Sequence, residues 1–162
     1  FAKVILAMIR APKFVVTRVQ GKTAGGGIGL VAASDYCVAA KAADLRLSEL
    51  AVGIGPFVVG PVIERKIGLA AFSALAVDAG WRSAEWAERR GLYAEVVDDQ
   101  RALDARVGDL ATRLAGYNPE AMHRMKQIFW EGTEGWDELL AGRAEISGTL
   151  VLSDFTRKAI GR

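Results

Sequence analysis

Apolar positions recur along this 162-residue chain at two periods, and the switches between them mark its elements. Phe1, Val4, Ile5, Met8 and Ile9 share one face at helical spacing, which predicts a helix over residues 1–10 that Pro12 ends. Phe14–Val19 is almost wholly apolar and predicts a strand buried on both faces. A glycine-rich corner follows, then a helix from Ile28 to Ser34. Tyr36–Ala40 and Leu45–Leu47 predict two more short strands. Pro56 is placed to start a helix that reaches Lys66 and stops at Gly68. Leu69–Ala79 continues as an apolar helix.

Ser83 is the expected N-cap of a helix that runs to Arg90, with Gly91 at its C′ position. A strand is expected at Tyr93–Val97. In Arg101–Leu114 the apolar residues Leu103, Val107, Leu110 and Leu114 make an amphipathic helix. Asn118-Pro119 opens another, to about Trp130, and Gly132 and Gly135 break it. Trp136–Leu140 and Ala144–Ile160 close the chain as helices. Strands separated by helices argue for α/β units with right-handed crossovers. One domain is expected over residues 1–162, with a core part at 1–100 and a helical region at 101–162.

Two stretches interrupt this pattern. Thr23-Ala24-Gly25-Gly26-Gly27-Ile28-Gly29-Leu30 places three consecutive glycines between a strand and a helix start. Such a corner presents bare backbone N–H groups at the positive end of a helix, and glycine lets a ligand come close. An anion or oxyanion site is the functional expectation there, and close strand–helix packing is the structural one. The G-x-G-x-G spacing is not a dinucleotide fingerprint, and no phosphate-loop motif is present. The second stretch, Ser48 to Gly60, holds one carboxylate, Glu49, in an otherwise apolar loop. Apolar surroundings raise a carboxyl pKa towards the range useful for acid–base work, whereas a solvated loop would leave it ordinary.

Composition narrows the classes. Hydrophobic residues make up 51% and charged residues 25%, which suits a globular domain with a sizeable core. A net charge of +2 is too small to argue for nucleic acid. No apolar run is long enough to span a membrane. Cys37 is the single cysteine, so no internal disulfide can form and a cytoplasmic setting is the default. His123 is the lone histidine and reads as structural or surface. No ligand spacing for a metal is found. The four tryptophans are expected in the core or at subunit interfaces.

Val19-Gln20-Gly21-Lys22-Thr23-Ala24-Gly25-Gly26-Gly27, Ala33-Ser34-Asp35-Tyr36, Leu47-Ser48-Glu49 with Gly53 and Pro56, and Ala87-Glu88-Arg89-Arg90-Gly91-Leu92 before Val96-Val97 stand in a familiar order. Over nearly its whole length the chain resembles the crotonase superfamily, also called the enoyl-CoA hydratase/isomerase family. The resemblance implies an α/β spiral of ββα units with a helical C-terminal trimerisation region, and an acyl-CoA thioester substrate. It further implies that the Gly26 N–H holds the thioester oxygen and that Glu49 carries protons. Ala24, Gly25 and Gly27 would lie along the acyl group; Gly53, Pro56 and Phe57 would also belong to the substrate site, with Pro56 and Phe57 bordering the acyl pocket. Coenzyme A would enter only as part of the substrate, with no further cofactor, no metal, no nucleic acid and no membrane partner. A homotrimer or dimer of trimers is implied.

Two departures shape the expected reaction. Hydratases of the best-known type carry a second glutamate just after the glycine triplet, where this chain has Gly29. The resemblance also covers only the C-terminal two-thirds of a family member. The chain is therefore expected to lack an N-terminal part that supplies the other oxyanion donor, a loss of about 100-fold or more in rate. Enoyl-CoA hydration or isomerisation is the expected activity. Hydroxyacyl-CoA thioester hydrolysis and a non-catalytic acyl-CoA-binding subunit are the alternatives.

Overall fold

The computed structural model describes residues 1–161. Helix α1 (Ala2–Arg10) leads into strands β1 (Val16–Val19) and β2 (Thr23–Ala24) and helix α2 (Gly26–Ala33). The same ββα order repeats in β3 (Tyr36–Ala40), β4 (Leu45–Arg46), a 3-10 turn (Leu50–Val52) and helix α3 (Gly60–Asp78). Helix α4 (Ala84–Arg89) and strand β5 (Glu95–Val97) follow. Beyond them the described chain is helical: α5 (Gln100–Ala115), α6 (Pro119–Phe129), α7 (Trp136–Val151) and α8 (Asp154–Ile160).

Each repeat gives one strand to each of two parallel sheets. β1, β3 and β5 form a three-stranded sheet with β3 at its centre, in register Val16↔Tyr36 and Val38↔Glu95. β2 and β4 form a two-stranded sheet, Thr23↔Leu45 and Ala24↔Arg46. The central position explains the burial of β3, where Cys37 to Ala40 are all buried. β1 is an edge strand and mostly half-buried, against the expectation of burial on both faces.

The main core gathers Ile5, Ile9, Ile28, Leu45, Ile63 and Leu75 from α1, α2, β4 and α3. A smaller cluster of Val38, Ala40 and Leu103 fixes α5 to the sheet. In α1 the buried stripe is Ile5, Leu6 and Ile9, while Phe1 and Val4 are about half exposed at 57% and 49%. Caps set the later helices. Ser83 Oγ accepts from Trp86 N, as expected, and Asp99, Asn118 and Ser153 cap α5, α6 and α8 in the same way. Gly91 has φ 78°, the left-handed conformation its C′ position asks for.

Several boundaries differ from expectation: α2 starts at Gly26 rather than Ile28, and β5 at Glu95 rather than Tyr93. Residues Phe57–Val59 make a turn rather than helix, α3 starts at Gly60, and Pro61, not Pro56, takes the helix-start position. The β-branched pair Val58-Val59 is a weak helix former, which favours the later start. Gly68 breaks α3 with φ 77° and ψ 158°, as its position suggested. α7 runs unbroken through Gly142, because buried Leu140 anchors it and one exposed glycine costs only about 1 kcal/mol. The break falls instead at Leu152–Ser153.

One polar network is deeply buried. Lys126 Nζ of α6 lies 2.8 Å from Asp35 Oδ2, with side-chain exposures of 2% and 4%. It also donates to the carbonyls of Met8 (2.7 Å) and Lys13 (2.9 Å). Asp35 further accepts from Val15 N and from Trp130 Nε1. The charge pair is thus fully hydrogen-bonded, the condition for tolerating it in a core. Trp130 packs edge-on against Trp136, ring centroids 6.4 Å apart, while Trp81 is 42% exposed.

Candidate functional site

The short strand β2 delivers the chain to Gly25, whose φ of 52° and ψ of −122° turn it into α2. That backbone is open to glycine and strained for other residues. Gly25 N–H donates to Arg46 O of β4 at 3.1 Å, which fixes the corner to the neighbouring strand. No side chain caps α2, so the first amides, Gly26 among them, lack intrahelical acceptors and point out of the helix start.

Glu49 leads the 3-10 turn that follows β4. Its carbonyl accepts from Val52 N (3.2 Å) and Ile54 N (3.0 Å), a tight turn that aims the side chain inward. A methyl group added at Gly25 would lie 3.2 Å from Glu49 Oε1, so the carboxylate and the glycine corner face each other at close range. Glu49 Oε2 is buried with no hydrogen-bond partner. Burial holds this carboxyl above its ordinary pKa.

Between them lies a cavity of about 190 Å³ lined by Phe1, Gly26, Glu49, Pro56, Phe57 and Ser147, among others. Of the expected site residues, Gly25, Gly26, Glu49, Pro56 and Phe57 are therefore brought together. Three are not. Ala24 is exposed on β2. Gly27 faces Thr23 and lines a separate surface groove beside β1. Gly53, at φ 84°, sits against α8, and a methyl there would be 2.5 Å from Phe155 Cδ1. Its role is to let α8 press on the turn that carries Glu49.

Sequence reasoning missed Ser147 and Phe1. Ser147 comes from α7, and nothing in its local pattern marks it. Helical spacing puts Phe1 on the apolar face of the first helix, and its ring lies over Gly26, 3.1 Å from where a methyl would project. Gly29 also gains an explanation. A methyl there would meet Val59 Cγ1 at 2.4 Å and Val59 Cβ at 2.8 Å, so the helix can pack there only without a side chain. Glu49 is, among the described residues, the one titratable side chain lining the cavity. No group of three His, Cys, Asp or Glu residues suited to a metal, and no helix long and apolar enough to cross a membrane, occurs among the described residues.

A part-buried carboxylate facing a helix N-terminus across a small apolar space suits one kind of chemistry. The carboxylate moves a proton on carbon while the amides hold the oxygen on which charge develops.

The family model described as enoyl-CoA hydratase/isomerase matches residues 1–152. A Mycobacterium tuberculosis protein named "Probable enoyl-CoA hydratase EchA12" is 32% identical over 133 residues, covering 81% of this chain and 46% of the relative. A trans-2-decenoyl-[acyl-carrier-protein] isomerase of Streptococcus mutans is 24% identical over 160 residues, covering 98% of this chain and 60% of the relative. The crystal structure of an enoyl-CoA hydratase from Mycobacterium avium superposes with a TM-score of 0.89 at 26% identity, covering 98% of this chain and 62% of that one. The chain thus spans about half to two-thirds of the length of the proteins it matches.

Proposed function

We propose, from the premise that this chain belongs to the enoyl-CoA hydratase/isomerase family, that it handles acyl-CoA thioesters through a thioester enolate. The Gly26 N–H receives the thioester oxygen and Glu49 carries the proton. The observation that carries this reading is the placement of the Glu49 carboxylate against the start of α2 across the cavity.

Within that chemistry the lone carboxylate favours double-bond isomerisation. Glu49 takes a proton from C2 of a 3-enoyl thioester and the C–H pair forms a C1–C2 double bond as the carbonyl pair moves to the thioester oxygen. The dienolate then takes the same proton at C4 through its C3–C4 double bond as the carbonyl re-forms, leaving the double bond at C2–C3. The product is the 2-enoyl thioester, of unchanged mass. Hydration is the second reading, favoured by Ser147 on the cavity wall, whose hydroxyl donates to Arg143 O at 3.3 Å and can accept a hydrogen bond from a water molecule. Then Glu49 would take the proton of that water as it adds at C3 and deliver it to C2.

Mass spectrometry of a trans-2-enoyl-CoA and of its 3-enoyl isomer after incubation, read together with the ultraviolet absorbance that marks a double bond conjugated to the thioester, tests both readings. A shifted double bond supports isomerisation, a gain of one water supports hydration, and no change in either substrate overturns the proposal. Self-association as a trimer or dimer of trimers belongs to the same proposal. It is supported by the exposed apolar residues Ile146 on α7, Leu152 at the break, and Phe155 and Ile160 on α8, and light scattering measures it. A cytoplasmic setting, consistent with the single unpaired cysteine, completes it.

A further inference from the structure

On the outer face of the two-stranded sheet, two cations converge on one aromatic ring. Lys22 Nζ lies 5.0 Å from the centroid of the Trp81 ring and Arg46 Cζ lies 4.8 Å from it. The three residues come from separate segments: the turn before β2, strand β4, and the loop between α3 and α4. The antiparallel bridge between Leu45 and Arg82 holds that loop against β4 at 2.8 and 2.9 Å.

The cluster is electrostatically incomplete. Neither Lys22 nor Arg46 forms an ion pair with a carboxylate among the described residues, whereas neighbouring Arg82 is engaged by Asp78. Arg46 Nε is buried with no hydrogen-bond partner. An aromatic face attracts each cation, yet it does not cancel the positive charge of either group. Lys22 lies two residues before Ala24, the register partner of Arg46, so both cations leave the same sheet face. A planar guanidinium and an ammonium on one face are a donor set suited to a phosphate, which takes the fork from the arginine and a point contact from the lysine.

Its position links it to the site. Arg46 is the register partner of Ala24 in the parallel pair, and its carbonyl receives the Gly25 N–H. Leu45 and Leu47 point into the core, so alternation sends the Arg46 side chain to the outer face. Two residues beyond Ala24 lies the amide of Gly26, and three beyond Arg46 lies Glu49.

We propose that Lys22, Arg46 and Trp81 form an anion subsite that holds a phosphate of the substrate's carrier arm while the thioester lies at Gly26. This rests on the thioester reading given above. The phosphate can belong to coenzyme A or to a phosphopantetheine arm without the nucleotide, and the test separates them.

The same acyl group is offered on coenzyme A, on 4′-phosphopantetheine and on N-acetylcysteamine, which carries no phosphate. The unaltered chain is compared with Lys22→Gln and Arg46→Gln. Lys22 is exposed, so its replacement leaves the core intact if Arg46→Gln disturbs folding. Each substitution is expected to cut the preference in kcat/KM for phosphate-bearing over phosphate-free thioester about three- to tenfold. A fall for both phosphate carriers places the pantetheine phosphate here, and a fall for coenzyme A alone places a nucleotide phosphate here. A preference that holds in both variants overturns the subsite. Calorimetric titration with coenzyme A reads binding without turnover. Weakened coenzyme A binding in the variants of a chain that turns over no thioester keeps the subsite while the reaction fails.

Discussion

Replacing Gly29 by alanine places a methyl 2.4 Å from Val59 Cγ1 and 2.8 Å from Val59 Cβ. Carbon atoms pack at about 3.5–4 Å, so the overlap exceeds 1 Å at the nearer atom. Val59 is only 5% exposed, β-branched and stiff, and it sits at the start of α3 just before Gly60-Pro61, so it has little room to yield. Overpacking of this kind costs about 1–3 kcal/mol. The better helix propensity of alanine returns up to about 1 kcal/mol. A net loss of about 1–2 kcal/mol follows, or roughly 2–8 °C in Tm for a chain of this size. Val59→Ala alone removes two buried methyl groups and leaves a void, costing about 1–3 kcal/mol. Together the changes refill one another, because the new methyl at residue 29 enters the space that Val59 gives up. Urea unfolding of the four proteins in a double-mutant cycle should therefore return a favourable coupling of about 1 kcal/mol or more. Losses that simply add, within about 0.5 kcal/mol, would refute the reasoning.

Other consequences can be measured directly. Glu49→Gln should cut turnover about 10²- to 10⁴-fold while acyl-CoA still binds in a calorimetric titration. Burial holds the folded Glu49 carboxyl above its ordinary value. The stability this group contributes is therefore present below about pH 4, the ordinary carboxyl value, and is lost as pH rises through the folded pKa. Glu49→Gln should accordingly melt higher than the unaltered chain at neutral pH, with the gap closing in acid. Activity should rise with pH across that same elevated pKa. Lys126→Met leaves Asp35 charged and buried and should cost about 3–5 kcal/mol in urea unfolding, with Asp35→Asn added to it recovering part of the loss. Burial pushes the Cys37 thiol up to about 12, so a thiol reagent at pH 8 should label it only after unfolding.

Much of the fold was legible because local signals agreed with the tertiary outcome. Ser83, Asn118 and Gly91 carry cap chemistry that works in isolation, and the structure uses each as such. The facing of Glu49 and the glycine corner was legible through resemblance. Local pattern alone gave two separated oddities and no reason to join them. Other features were hidden because they depend on partners far along the chain. Gly53 also serves as the landing point of Phe155, about a hundred residues later, a contact that no local pattern announces. Ser147 enters the cavity from a helix whose own periodicity gives it no distinction. Pro56 and Pro61 both suit a helix start, and only the turn at Phe57–Val59 decides between them.

The Lys126–Asp35 network also bears on how long the native state lasts. The Lys126 ammonium joins α6 to Met8, Lys13 and Asp35, groups more than ninety residues distant in the chain. Such contacts reward the chain only after the helix and the sheet corner have both formed, since a long loop must close first. The network is expected to be largely unmade in the folding transition state and complete only in the native one. Interactions with that property slow unfolding and leave refolding almost untouched. The buried lysine therefore acts as a latch on the folded molecule, setting how rarely it opens to a protease rather than how quickly it forms.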